Sequence, residues 1–412
     1  MRRTSVLTLW TLVLAVPALW FVSSNREHAT AAQTTAQRSS HQDWPTGHYR
    51  VVDNWPKPLP DTRHAHAGWT WGSFGGVYAE NPDRIWIAMR GELPLPPDAK
   101  PWTPYAALNP SRGNATGNGD GISATCQPEP KRGWERRWEH SIFVVDREGN
   151  LIDEWPHLDK MFSQQPCGRG PHQIKISPYD PQKHVWIIDD DLHEIHKFSQ
   201  DGKLVMTLGE RGVPGRGPNN FNRPTDIAWL PDGTFFISDG YAGTRVAKFD
   251  PNGKFVLDWG KVPTDPSNPG PNEFFSVHSI GVSRDRRVFA ADREHSRMQV
   301  FDENGKFLEM WPTGHRSAVY SHIVTEDDHV WVGEHTTSRL VKYDLNGRYI
   351  YDFGSPGPLP GQFNGPHGIH VDQDRNLYVT EVWNGRTQKF RPKPNADPAK
   401  IVAPEVGGWP PR

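Results

Sequence analysis

Val185-Trp186-Ile187-Ile188-Asp189, Phe235-Phe236-Ile237-Ser238-Asp239, Val288-Phe289-Ala290-Ala291-Asp292, Val330-Trp331-Val332-Gly333-Glu334 and Leu377-Tyr378-Val379-Thr380-Glu381 are one pattern written five times. Each is a short apolar run closed by an acid. Four of them are followed by a second run that opens on arginine: Arg245 to Asp250, Arg297 to Asp302, Arg339 to Asp344 and Arg386 to Phe390. The turns Asp201-Gly202, Asn252-Gly253, Asn304-Gly305 and Asn346-Gly347 come next. Asn-Gly or Asp-Gly between apolar alternations marks a two-residue hairpin. Self-similarity of this kind is the signature of a repeat fold, and each unit reads as four short antiparallel strands, one propeller blade.

A more divergent unit, with Ile85-Trp86-Ile87-Ala88 and Ser141-Ile142-Phe143-Val144-Val145-Asp146, brings the count to six. The last unit lacks a fourth strand after Phe390. Tyr49-Arg50-Val51-Val52-Asp53-Asn54-Trp55 resembles the fourth strands Phe255-Val256-Leu257-Asp258-Trp259 and Tyr349-Ile350-Tyr351-Asp352-Phe353, and is expected to supply it. That closure ties the ring together and removes an exposed sheet edge. The expected fold is all-β: a six-bladed β-propeller over 47–392, with a C-terminal tail over 393–412.

Composition agrees. In 412 residues there are 38 Gly, 39 Pro and 18 Trp, a mix suited to many short strands and tight turns. A net charge of −2 gives no reason to expect nucleic acid or an anionic membrane surface as a partner. Arg2 and Arg3 precede an apolar run from Val6 to Val22, and Ala29-Thr30-Ala31 follows. Residues 1–31 therefore read either as a cleaved secretory signal or as an uncleaved membrane anchor, and 32–46 as a flexible linker. Either reading implies export, to the periplasm or the medium, with membrane anchoring in the second case; a monomer is expected. Cys126 and Cys167 are the only cysteines. In an exported protein they are expected to form a loop-stapling disulfide. A Pro-, Gly- and Asn-rich insertion between Gly91 and Trp134 interrupts the first blade, either as a surface loop or as a lid over the face described next.

Aligning the units on the Ile two places on gives His172, Thr225, His278 and His367 at one position. His322 is followed directly by Ile323 and is out of step. A lone channel histidine is usually a hydrogen-bonded structural residue. Three on blades 2, 4 and 6 are related by approximate threefold symmetry and, with an open fourth position, suit a catalytic zinc ion. After the second strands come Arg90, Arg293 and His335, and in the third blade Asp239-Gly240-Tyr241. Guanidinium binds carboxylate through paired hydrogen bonds, so Arg90 and Arg293 fit an acidic substrate group; the competing role is a salt bridge between blades. A phenol beside a divalent metal and a guanidinium can serve as a base; the competing role for Tyr241 is channel packing.

Several stretches resemble the lyase domain of peptidylglycine α-amidating enzymes. They are Phe221-Asn222-Arg223-Pro224-Thr225-Asp226-Ile227 through Ser238-Asp239-Gly240-Tyr241, and Phe275-Ser276-Val277-His278-Ser279 with Ala291-Asp292-Arg293-Glu294, together with Pro366-His367. The likeness covers roughly residues 70–392, and an NHL-type repeat accounts for much of it. The resemblance implies zinc on His172, His278 and His367, Tyr241 as base, and Arg90 and Arg293 as the residues that bind and polarise substrate. It implies cleavage of a C-terminal α-hydroxyglycine to an amide and glyoxylate. Four features depart from the family. Gly368 stands where the family has an Asp that helps hold a structural calcium, which weakens the case for Ca²⁺. Asn222 and Ala242 stand where the family has a disulfide, and Val277 replaces a Pro. No copper monooxygenase segment accompanies the propeller, so hydroxylated substrate would come from elsewhere. The same fold leaves two other readings: a metal-dependent, lactonase-like hydrolase, and a non-catalytic binding propeller.

Overall fold

The computed structural model describes residues 45–57, 69–94, 138–162, 170–314 and 316–407. Nearly all of residues 1–46, the body of the 91–134 insertion, Cys126 and Cys167 lie outside them. Among the described residues no helix is long and apolar enough to cross a membrane.

The six units each fold as a four-stranded antiparallel sheet. Blade 1 is Phe74–Asn81, Arg84–Met89, Ile142–Val145 and Leu151–Glu154. Blade 2 is Gln173–Ile176, Val185–Asp189, Glu194–Phe198 and Leu204–Leu208. Blades 3 and 4 begin at Pro224–Trp229 and Val277–Val282 and end at Phe255–Trp259 and Phe307–Pro312. Blade 5 runs from Val319–Thr325 to Tyr349–Phe353. Blade 6 is Pro366–Val371, Leu377–Glu381 and Arg386–Pro392, and its outer strand is Tyr49–Val51 from the N-terminal side, with Tyr49 opposite Pro392 and Val51 opposite Phe390. The expected six-bladed ring and its strand closure are both present.

Burial follows strand rank. The innermost strands are buried on both faces, as in Val277–Val282 and Pro366–Val371, and pack side by side around the axis. The outermost strands, such as Leu204–Leu208, are largely exposed. The core lies between blades: Phe236, Val246 and Trp259 of blade 3 pack on Val277, Ile280 and Phe301 of blade 4. Each such fully buried side chain contributes about 1.5–3 kcal/mol.

The acid–arginine motif proves to be a brace. In blade 4 Asp292 accepts from Arg297 at 2.9 Å and from the backbone N–H of Phe275 at 3.1 Å. In blade 6 Glu381 does the same with Arg386 and with the N–H of Asn364, and in blade 3 Asp239 with Arg245 and Asn222. Each pair fixes the loop that leads into an innermost strand.

Among the described residues a strand pair, a helix and the tail carry no repeat signal. Trp69–Trp71 pairs with Glu92–Pro94. A helix, Pro156–Phe162, follows the first blade, with Pro156 at the start where its missing N–H costs nothing. The tail does not hang loose: Ile401, Val402 and Ala403 are buried, Val402 donates to the Tyr49 hydroxyl, and Val406 donates to the Val324 carbonyl.

Candidate active site

A β-bulge builds the ligand ring. In blades 3, 4, 5, 6 and 1 the pairing register slips at the start of the innermost strand, between Pro224 and Asp226, Val277 and Ser279, Val319 and Ser321, Pro366 and Ile369, and Phe74 and Gly76. The skipped residues are Thr225, His278, Tyr320, His367 with Gly368, and Gly75, and bulges re-aim side chains at such rims. His172 precedes the first strand of blade 2 at the matching place. Histidines therefore alternate with Gly75, Thr225 and Tyr320 around the mouth.

The alternation is chemical as well as spatial. Nδ1 of each histidine contacts the carbonyl of the next bulge residue: His172 with Thr225 at 2.7 Å, His278 with Tyr320 at 2.6 Å, His367 with Gly75 at 2.7 Å. A carbonyl only accepts, so Nδ1 carries the proton and Nε2 keeps a lone pair in each ring. The rings sit with centroids 4.7–5.1 Å apart, and one ligand atom from each lies within 4.8 Å of the others. All three are buried. Burial, then the Arg293 guanidinium, holds His278 well below the usual histidine range. Burial, then Arg90, pushes His367 down to about 3. Neutral imidazoles with fixed tautomers are metal ligands in their binding form.

Tyr241 closes the fourth side. Its hydroxyl is 2.8 Å from Nε2 of His278 and 3.1 Å from Nε2 of His172. A phenol has one proton, so it can donate to only one of these lone pairs at a time; a cation satisfies all three rings at once. Gly240 lets this happen: a Cβ there would meet the Val277 carbonyl at 1.6 Å. Arg293 lies 4.9 Å over the Tyr241 ring and 5.4 Å over Tyr320, and pairs with its neighbour Glu294 rather than with another blade. Arg90 is 1% exposed, and its Nε and Nη2 make no hydrogen bond. His335 stacks on Tyr320 at 4.3 Å and on Trp383 at 5.5 Å. His322 is buried further along the channel.

Sequence reasoning passed over two residues here. Arg223 lies 4.6 Å over the Tyr241 ring, held by Asp190 at 2.7 Å, and its carbonyl accepts from the Tyr241 backbone. Tyr320 is the blade 5 member of the ring; the aligned Ile falls one residue later than in the other blades, so Ser321 took its place in the alignment. One departure also has a physical form. Asn222 and Ala242, at the family's disulfide position, are hydrogen-bonded to each other. Beneath the histidines the channel holds the Lys175 ammonium, 2.9 Å from Asp226 and 3.2 Å from the Ile227 carbonyl.

No family model matches the chain. It is 29% identical over 255 residues to peptidyl-α-hydroxyglycine α-amidating lyase 1 of Drosophila melanogaster, covering 57% of this chain and 46% of that protein. It is 32% identical over 167 residues to a probable lyase of the same name from Caenorhabditis elegans, covering 39% and 43%. The chain thus spans less than half the length of these two relatives. With NHL repeat-containing protein 3 of Mus musculus it shares 30% identity over 273 residues, 63% of this chain and 74% of that protein. On that match and on its six repeated blades, the chain belongs to the NHL repeat-containing proteins, among homologues named peptidyl-α-hydroxyglycine α-amidating lyase.

Proposed function

We propose that this mouth binds a C-terminal α-hydroxyglycine and cleaves its N–C bond, releasing an amide and glyoxylate. The observation that carries the reading is Arg90, a buried guanidinium with unmet donors beside His367 in a ring closed by Tyr241. A buried donor left unmet costs about 1–3 kcal/mol. A planar carboxylate such as that of hydroxyglycine meets two at once. The names of the homologues support the same substrate class.

Nε2 of His172, His278 and His367 would hold the metal, and the donor set suits zinc. When bound there, zinc supplies Lewis acidity toward substrate oxygen. Arg90 orients the carboxylate. Tyr241, as base, takes the proton of the carbinol hydroxyl. The electron pair left on that oxygen forms the aldehyde carbonyl of glyoxylate as the C–N bond breaks, and the departing amide nitrogen takes up the proton that Tyr241 removed, which returns the base to its starting ionised form. Atoms balance without oxidant or added water. Arg223 and Arg293 place positive charge against the ring that carries the negative charge of the base.

Incubation of zinc-replete protein with an N-acyl-α-hydroxyglycine tests this. Equal amounts of amide and glyoxylate are expected; folded, zinc-replete protein that releases neither overturns the reading.

A further inference from the structure

We propose that His335 is a further catalytic residue, which donates a hydrogen bond to the acyl carbonyl of the amide being released; this deepens the lyase reading and rests on it. His335 is the first residue after the second strand of blade 5, His329–Glu334. Arg293 holds the same place after Val288–Asp292, and Arg90 after Arg84–Met89. Side chains at that place stand at the mouth of the channel.

The carbinol carbon of the substrate carries three groups besides hydrogen: a carboxylate, a hydroxyl and the acylamino group. The histidine ligands come from blades 2, 4 and 6, so the sectors between them belong to blades 1, 3 and 5. Arg90 on blade 1 takes the carboxylate, and Tyr241 on blade 3 takes the hydroxyl. Blade 5 is left for the acylamino group. There Tyr320 fills the gap between His278 and His367, with centroids 5.5 and 5.7 Å away. His335 lies one ring farther out, stacked on Tyr320 at 4.3 Å with planes 11° apart. The acyl carbon is two bonds from the carbinol carbon, so its partner stands beyond the metal ligands rather than among them.

The imidazole is held in place and has a proton to give. Tyr320 covers one side of the ring, and Trp383 stacks on it at 5.5 Å. The His335 backbone N–H donates to the Ala318 carbonyl at 3.0 Å, and its carbonyl accepts from the Ser338 N–H at 3.2 Å. Among the described residues neither ring nitrogen is hydrogen-bonded, and the residue is only part-buried. Burial, then the Arg293 guanidinium, pushes the ring down to about 4, so at neutral pH it is uncharged and carries one N–H. As the C–N bond breaks, its electron pair moves onto nitrogen and spreads to the acyl oxygen until the proton from Tyr241 arrives. A fixed donor at that oxygen is worth more in the transition state than in the bound substrate.

Two inert acids read the contact without turnover. β-Benzoylpropionate has a carbonyl where N-benzoylglycine has its acyl carbonyl, and γ-phenylbutyrate has none. Each is titrated by calorimetry into zinc-replete wild type, His335→Phe, which keeps a flat ring in the stack, and His335→Gln, which keeps an N–H donor. The preference for the ketone should fall about five- to tenfold in His335→Phe, the worth of one hydrogen bond, and recover in His335→Gln. With N-benzoyl-α-hydroxyglycine as substrate, the kcat of His335→Phe should fall about 100-fold, as for one lost preorganised donor. Circular dichroism checks folding, and His335→Leu replaces His335→Phe if that variant does not fold. A wild type that binds neither acid, or both equally, overturns the proposal, as does a folded His335→Phe with an unchanged preference. Glyoxylate release undiminished in His335→Phe also overturns it and leaves the lyase reading standing. A ketone preference lost in His335→Phe, with no glyoxylate released by wild type, overturns the lyase reading and keeps His335 as the donor to a bound carbonyl.

Discussion

Nε2 of His278 lies 2.8 Å from the hydroxyl of Tyr241, one blade away. Two backbone features produce that distance. The bulge between Val277 and Ser279 turns the imidazole inward, and Gly240 lets the loop of blade 3 press against the Val277 carbonyl. The proposed base and a proposed ligand are thereby set by main chain rather than by flexible side chains, the condition for preorganised catalysis.

Arg90→Lys keeps the charge and loses the planar fork. The KM for an α-hydroxyglycine should rise about 10- to 100-fold, the worth of a charge-assisted hydrogen bond. Steady-state kinetics with the free acid and with its methyl ester check this: wild type should discriminate strongly and the variant weakly. Equal discrimination by both proteins would remove Arg90 from the carboxylate site.

Arg223→Met keeps an unbranched stem and removes the cation 4.6 Å from the Tyr241 ring. The kcat should fall roughly tenfold, the worth of about 1.4 kcal/mol in the transition state, with zinc content unchanged. An unaltered kcat would mean that Arg223 serves only to hold Asp190.

The braces should dominate stability. Arg297→Ala takes the guanidinium from the buried carboxylate of Asp292, which keeps only His295 and the Phe275 N–H, and also removes bonds to the carbonyls of Pro269 and Glu273. A loss of about 3–5 kcal/mol in denaturant unfolding is expected. Arg284→Ala breaks only the exposed pair with Asp328 and should cost about 1 kcal/mol or less. Comparable losses from both would contradict the assignment of the acid–arginine motif as the structural repeat.

Acid should weaken the ring through His322. Burial, then the Lys175 ammonium, pushes this histidine down to about 3 against a partial opposing pull from Glu405. The unfolded chain takes up the proton near 6.5 while the folded one does not. The stabilisation is therefore complete above that pH and declines as pH falls through it, by about 2 kcal/mol at pH 5. Unfolding measured at pH 7 and pH 5 should show a steeper loss for wild type than for His322→Gln. Equal losses would sink the prediction.

The fold was legible because its repeat is chemical. An acid, an arginine and an Asn-Gly or Asp-Gly turn recur at fixed spacing, and in blades 3, 4 and 6 the acid and the arginine pair as a brace. His172, His278 and His367 were legible because they share a register. Tyr320 was not, since the blade 5 strand meets its bulge one residue earlier relative to the aligned Ile. Arg223 and Asp190 come together from blades 3 and 2, and no local pattern reports such a pair. The packing of Ile401 to Ala403 was hidden too, because a short apolar run after the last strand looks the same whether it docks or not.

The central claim is that Tyr241 moves a proton in a carbinolamide cleavage. The most direct measurement is steady-state kinetics of wild type and Tyr241→Phe, both zinc-replete, on an N-acyl-α-hydroxyglycine and on a panel of lactones. Wild type should release glyoxylate and leave the lactones intact. The variant should keep its zinc and lose about two to four orders of magnitude in turnover. A wild type that opens lactones without releasing glyoxylate, and a variant that opens them equally well, would show that the ring of histidines serves a hydrolase instead.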